Sequence, residues 1–311
     1  MKDILRYFPN KIKNVLEIEL ENKDKILEEI RIRAGKPIIL KFTLDEKIIK
    51  YIVNQEEILN ILQLICENSI YSYQHQIAEG YITISGGHRV GISGSCVLEN
   101  EKIININYIN SLNFRIARQV KGCSKNVLQY ILKKEGNTIY NTLIVSPPGA
   151  GKTTLLKDIV KQISDGIDEF NFKGITVGVV DERGEIAALY KGISQNDIGI
   201  KTDVIDNASK DTGIKMLVRA MAPKVVVADE IGKETDIDAI NYAISSGVKG
   251  IFSAHGNSFE DLKKNNILKC LIDNFIFETI IILDLKEKGK LKNVYLLNKN
   301  EMRYEKQGFC V

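Results

Sequence analysis

The stretch Thr142-Leu-Ile-Val-Ser-Pro-Pro-Gly-Ala-Gly-Lys-Thr-Thr-Leu-Leu-Lys-Asp158 decides how the chain folds. Thr142 to Val145 is apolar and of strand length, and the residues from Thr154 onward read as a helix. Between them lies G-x-x-x-x-G-K-[ST], with Ser146 where the pattern has its first glycine. A strand before and a helix after are the context that makes this pattern a phosphate loop. A triphosphate needs many donors at close range. Gly149 and Gly151 let the backbone bend so that successive amides face phosphate oxygens, and the helix N-terminus adds partial positive charge. On this reading Ser146, Pro147, Pro148, Gly149, Ala150, Gly151, Lys152, Thr153 and Thr154 bind ATP. Lys152 reaches the β- and γ-phosphates, the Thr153 hydroxyl ligates Mg2+, and Thr154 caps the α-phosphate side. Serine tolerates positive φ poorly, so Ser146 predicts a slightly altered start to the loop.

Further on, Lys224-Val-Val-Val-Ala-Asp-Glu-Ile-Gly232 reads as a buried strand ending in two carboxylates. Ligands of parallel sheets sit at the carboxyl ends of strands. Asp229 is therefore assigned to Mg2+, through water, and Glu230 to orienting and polarising the attacking water. A solvated acid pair is the plain alternative, and the phosphate loop upstream argues against it. Another strand, Ile175-Thr-Val-Gly-Val-Val180, runs into Asp181-Glu-Arg-Gly-Glu185, whose charges would emerge at the same sheet edge. One more ends in Ser253-Ala-His-Gly256. A single histidine is usually structural or solvated. At a strand end beside the acids, His255 becomes a candidate donor to the γ-phosphate that senses hydrolysis.

From residue 111 on, strand and helix signals alternate: helix 126–134, strand 138–145, helix 151–162, and strands 174–180, 224–228 and 248–253. That alternation predicts an α/β fold with a mostly parallel sheet covered by helices. The first third differs. Helical spacing spans 3–21, strands are expected at 29–34, 37–42 and 48–53, and a helix at 55–67 has Ile58, Ile61, Leu62 and Ile65 on one face. A hairpin follows over 80–97 around Gly86-Gly87, with a second turn at Asn100-Glu101 toward 103–106. We expect a smaller α+β domain over 1–112 and an α/β domain over 113–311.

The 311 residues are 44% hydrophobic and 27% charged, which is ordinary for a globular chain of two domains. A net charge of +3 argues against a general nucleic-acid surface. Five cysteines (Cys66, Cys96, Cys123, Cys270 and Cys310) at long spacings, without C-x-x-C, exclude a disulfide framework and a zinc site. They point to a reducing, cytoplasmic compartment. The N-terminus is broken by charges and Pro9 and does not read as a signal peptide. No apolar run reaches the ~18 residues that span a bilayer, so membrane work would go through a partner.

The order of phosphate loop, Asp-Glu-Arg box, Asp-Glu-Ile-Gly and Ala-His-Gly resembles the secretion-type traffic ATPases, which power type II and type IV secretion and pilus motors. Glu29-Ile-Arg-Ile-Arg33, Gly86-Gly-His-Arg-Val-Gly91, Arg115-Ile-Ala-Arg118, Val180-Asp-Glu-Arg183, Arg219-Ala-Met-Ala-Pro223 and Asp229-Glu-Ile-Gly232 are similar to the branch found in endospore-forming bacteria. The resemblance covers nearly the whole chain. It implies a RecA-like P-loop ATPase core behind the N-terminal domain, assembling as a homo-hexamer. It also implies a mother-cell role peripheral to the forespore membrane, docked on integral membrane proteins of a sporulation channel. Traffic ATPases place N-domain arginines over nucleotide at subunit contacts. That makes Arg115 and Arg118 candidate catalytic fingers, with Arg89, Arg183 and Arg219 behind them.

Two rivals share the same core. One is a RecA-like ATPase that depends on nucleic acid, and the other is a nucleotide-gated scaffold with little turnover. The remaining features read as bland. His88 falls in a hairpin turn, Tyr71, Tyr73 and His75 form an ordinary packed surface, and the lysines from 286 to 306 line a solvated face around a final hairpin.

Overall fold

Apolar side chains at every second position build the first sheet. In a computed structural model describing residues 2–20, 26–133 and 135–308, β1 (Leu27–Arg33) buries Ile30 and Ile32 on one face and turns Glu29, Arg31 and Arg33 to the other. Next come β2 (Pro37–Phe42), β3 (Glu46–Ile52), β4 (Tyr81–Ile84), β5 (His88–Glu99) and β6 (Lys102–Arg115). Among the described residues these six form an antiparallel sheet in the order β3-β2-β1-β6-β5-β4. Its buried face packs on α1 (Lys2–Leu5), α2 (Asn10–Glu19), α3 (Gln55–Ile65) and the short α4 (Gln74–Ala78). The rings of Phe8 and Phe114 meet at 4.7 Å within that core. Asn54 and Glu57 form a capping box that starts α3.

The single helix expected over 3–21 is split. Pro9 sits at the N-cap of α2 with φ −54° and cannot continue a helix from α1, while Tyr7 and Phe8 turn into the core. Glu21 lies outside the described residues, as does Lys134, the expected end of the next helix. The turn at Asn100-Glu101 has positive φ at both residues, and the strand after it runs unbroken to Arg115.

Two compact units share the chain. The first takes the residues up to Arg118 together with Ala188–Gln195, and the second takes Gln119–Ala187 and Asn196–Val311. The division expected at 112/113 falls inside β6. The returning segment Ala188–Gln195 carries the small hairpin strands Leu189–Tyr190 and Ile193–Ser194, which the sequence reading missed. It is held within the first unit by Glu67, which accepts from the Tyr190 hydroxyl and the Lys191 ammonium at 2.5 Å each. The Gly86 amide also donates to Gln195 Oε1 at 2.7 Å.

The second unit alternates as expected. We label its sheet strands β7 (Thr142–Ser146), β8 (Val177–Asp181), β9 (Thr202–Asp206), β10 (Val225–Ala228), β11 (Lys249–His255), β12 (Thr279–Leu283), β13 (Leu291–Asn298) and β14 (Arg303–Lys306). Among the described residues the order is β9-β8-β10-β11-β7-β12-β13-β14, parallel from β9 through β12 and antiparallel beyond. Every residue of β7, β8, β10 and β12 is buried, as a sheet covered on both faces requires. The covering helices are α5 (Lys125–Ile131), α6 (Lys152–Asp165), α7 (Lys210–Ala220), α8 (Glu234–Ser245), α9 (Phe259–Leu262) and α10 (Asn266–Asp273). The strand expected over 138–145 begins only at Thr142, the segment before it contributing an isolated bridge between Ile139 and Leu132. Among the described residues no helix is long and apolar enough to cross a membrane. Cys66, Cys96, Cys123 and Cys270 are free thiols, and Cys310 lies outside the described residues.

His88 is not a bland turn residue. It opens β5, and its Nδ1 accepts the Ala117 amide at 2.9 Å, fixing the segment that follows Arg115. Accepting requires a neutral ring, and burial holds its pKa below the usual 6.5. The contribution is therefore complete above pH 6.5 and is lost as pH falls through the depressed value. Urea unfolding of wild type and His88→Gln should differ by about 1 kcal/mol at pH 7.5, with the gap closing toward pH 5.

Candidate nucleotide site

Ser146 is the last residue of β7, buried and extended, and pairs with His255 of β11. Positive φ is not asked of it, so the altered loop start expected from its missing glycine does not arise. The left-handed positions are Gly149, at φ +78°, and Gly151, at φ +91°. Gly151 caps α6, and its carbonyl takes the Leu155 amide at 3.0 Å. A side chain there would also meet Gly289, whose amide donates to the Ala150 carbonyl at 2.8 Å. The β12–β13 connection thus closes over the loop.

The second turn of α6 is pinned by Asp158, which is fully buried. It accepts from the Gly122 amide, the Ser124 amide and the Ser124 hydroxyl at 2.8, 2.8 and 2.6 Å. The segment leading into the second unit is thereby tied to the helix that begins at the phosphate loop.

Lys152 opens α6 and is 5% exposed. Its ammonium lies 3.2 Å from Asp229 Oδ1 and 3.9 Å from Glu230 Oε1. Among the described residues it meets no partner in hydrogen-bond geometry. A buried cation so placed suits a phosphate oxygen. The Thr153 hydroxyl donates to Asp229 Oδ2 at 2.9 Å, so the two groups expected to share a metal already face each other. Burial pushes the Asp229 pKa up, but Lys152 and the hydroxyls of Ser253 and Thr153 outweigh it and hold the carboxyl below its usual range.

Glu230 follows β10 with φ +54°, a left-handed conformation that costs a non-glycine residue about 1–3 kcal/mol. Its amide is shared by Asp229 Oδ1 and Ser253 Oγ, at 3.0 Å each. Its carboxylate is engaged on both sides, by His255 Nε2 at 3.0 Å and Arg183 Nη1 at 2.5 Å. The structure therefore brings Lys152, Thr153, Asp229, Glu230 and His255 together, and adds Arg183 to them.

The Asp-Glu-Arg box divides its labour. Asp181 is buried and accepts the amides of Glu185, Ile186 and Ala187, which shapes the loop carrying Arg183. Glu182 is desolvated, yet Lys210 and Lys233 hold its pKa low. Arg219 lies elsewhere in the unit, over the Tyr242 ring. Arg115, Arg118 and Arg89 belong to the first unit. There Arg115 and Arg89 stand opposite each other across β6 and β5, Arg89 stacks on Tyr81 at 3.9 Å, and Arg118 donates to the Leu27 carbonyl. Sequence reasoning missed Lys210 and the role of Ser253. Lys210 lies outside any motif and Ser253 only opens the strand-end stretch that carries His255, so only the fold brings them to the acids.

A family model described as sporulation stage III, protein AA, matches residues 1–302. The chain belongs to the stage III sporulation protein AA family. Stage III sporulation protein AA of Bacillus subtilis (strain 168) is 37% identical over 296 residues, covering 95% of each chain. The fold matches the X-ray structure of the Legionella pneumophila ATPase DotB with a TM-score of 0.58 at 14% identity, over 97% of this chain and 80% of that one. It also matches the crystal structure of the pilus retraction motor PilT with bound ADP, with a TM-score of 0.54 at 16% identity over 88% and 76%. This member of the stage III sporulation protein AA family is thus an α/β protein with a RecA-like P-loop core.

The Lys152–Asp229 pair makes a stability prediction. Asp229→Asn strands a buried ammonium and should cost about 3 kcal/mol in urea unfolding. Combining it with Lys152→Met should recover most of that loss.

Proposed function

We propose that this chain is a Mg2+-dependent ATPase of the secretion and traffic superfamily. It would convert ATP and water to ADP and phosphate and so power a secretion-like channel at the forespore membrane during endospore formation. The observation that carries this reading is the convergence of the acids after β10 on the start of α6, with Asp229 2.9 Å from the Thr153 hydroxyl and the Lys152 ammonium 3.2 Å from Asp229 and 3.9 Å from Glu230. Membership of a sporulation family and the ADP bound to PilT support it.

On this reading residues 146–154 cradle the phosphates, and Lys152 neutralises the charge that builds on the transferring group. Thr153 and Asp229 would hold Mg2+, which neutralises charge across the β- and γ-phosphates. Glu230 orients the attacking water and accepts its proton. Arg183 and His255 each take one oxygen of its carboxylate, which leaves lone pairs on both for a water. The catalytic contacts are completed in a homo-hexamer, where Arg115 and Arg118 supply positive charge across a subunit contact. The two units act as N-terminal domain and ATPase domain. Contact with the forespore membrane, on its mother-cell side, is assigned to integral membrane partners.

The test is ATPase rate against protein concentration, with Lys152→Ala as control and with single-stranded DNA or RNA added. The expected specific rate rises with concentration, ignores nucleic acid and vanishes in the control. Glu230→Gln should keep ATP binding and lose about 10²- to 10⁴-fold in turnover. A rate flat with concentration and stimulated by nucleic acid would replace this reading with a nucleic-acid-dependent ATPase. ATP binding without turnover in the wild type would make the protein a nucleotide-gated scaffold.

A further inference from the structure

β11 carries two polar side chains two residues apart, Ser253 and His255, and strand geometry puts them on the same side. His255 meets the Glu230 carboxylate. Ser253 meets the groups that hold Glu230 in place. It is fully buried, and its hydroxyl donates to Asp229 Oδ1 while accepting from the Glu230 amide at 3.0 Å. Its carbonyl takes the next amide, Ile231, at 2.8 Å. A hydroxyl has one hydrogen. With that hydrogen directed to Asp229, a lone pair is left to face Glu230. Oδ1 is thereby fixed, and Oδ2 is left facing the Thr153 hydroxyl.

We propose that Ser253 is the positioning residue of this site: its hydroxyl holds Glu230 in its left-handed backbone conformation and turns Asp229 toward Thr153. Two acids with different tasks are aligned by one side chain on the strand between β10 and β7. A left-handed glutamate relaxes toward ordinary backbone angles unless its surroundings over-determine it. With Ser253 removed, the Glu230 amide keeps only Asp229 Oδ1, an acceptor that has lost its hydroxyl donor and is held only by Lys152 and, through Oδ2, by Thr153.

The proposal rests on the Mg2+-ATPase reading, and the experiment separates the two. Full-length wild type, Ser253→Ala and Ser253→Thr are compared for kcat and KM, for ATP affinity with and without Mg2+, and by crystal structure. Losing a hydrogen bond to a charged group should lower kcat in Ser253→Ala by about tenfold or more. KM should move little, and the gain in ATP affinity on adding Mg2+ should shrink by a similar factor. Threonine keeps the hydroxyl and suits a strand, so Ser253→Thr should restore both. The crystal structure of Ser253→Ala should show Glu230 out of positive φ. Unchanged kcat and Mg2+ gain in Ser253→Ala would overturn the proposal. Equal damage in Ala and Thr variants with Glu230 unmoved would also overturn it, because packing would then be the cause. If wild type itself neither binds nor hydrolyses ATP, the ATPase reading fails, while φ of Glu230 in the Ser253→Ala crystal still decides the geometric claim.

Discussion

An ammonium ion taken out of water must find anions, and the site is arranged around that need. Lys152 is buried at the first turn of α6, and the carboxylates that answer it come from the end of β10. Neither partner is stable alone in that place. The pair therefore fixes the distance between the helix that begins at the phosphate loop and the strand that carries the acids. Asp229 stays ionised despite its burial because Lys152 and two hydroxyls offset the loss of water. The same geometry leaves the ammonium short of full hydrogen bonding.

Sheet order explains why two further residues matter. β11 lies between β7 and β10, so its carboxyl end touches both halves of the site. Ser253 and His255 reach across to the acids from this middle strand, and His255 also pairs along the backbone with Ser146 at the loop's start. Buried carboxylates with backbone partners do a different job. Asp181 gathers three amides into one loop, and Asp158 gathers the segment around Ser124. These acids shape chain rather than chemistry.

The legible part of the fold was the part written in local patterns. The phosphate loop between strand and helix, the four apolar residues before Asp229 and the alternation of β1 could each be read from neighbours in sequence. Ser146 showed the limit of pattern matching. A missing glycine suggested backbone trouble, yet the position is ordinary strand and the left-handed angles fall on Gly149 and Gly151. The left-handed backbone of Glu230 had no local signal, because glutamate gives no hint of positive φ. Arg183 reaches Glu230 through the loop that Asp181 shapes, which no local pattern in the sequence announces. Lys210 meets Glu182 only through the packing of α7 beside β8, a contact between residues 28 apart in the chain.

The excursion of Ala188–Gln195 into the first unit gives the chain an awkward connectivity. The backbone passes between the units at 118/119, at 187/188 and at 195/196, so one cut does not free either half. A fragment beginning at Gln119 would carry the segment away from Glu67 and Gly86, which hold it. Evolution by simple shuffling of whole domains would face the same obstacle. The two units are joined by three passages of covalent chain where a simple tandem pair of domains has one.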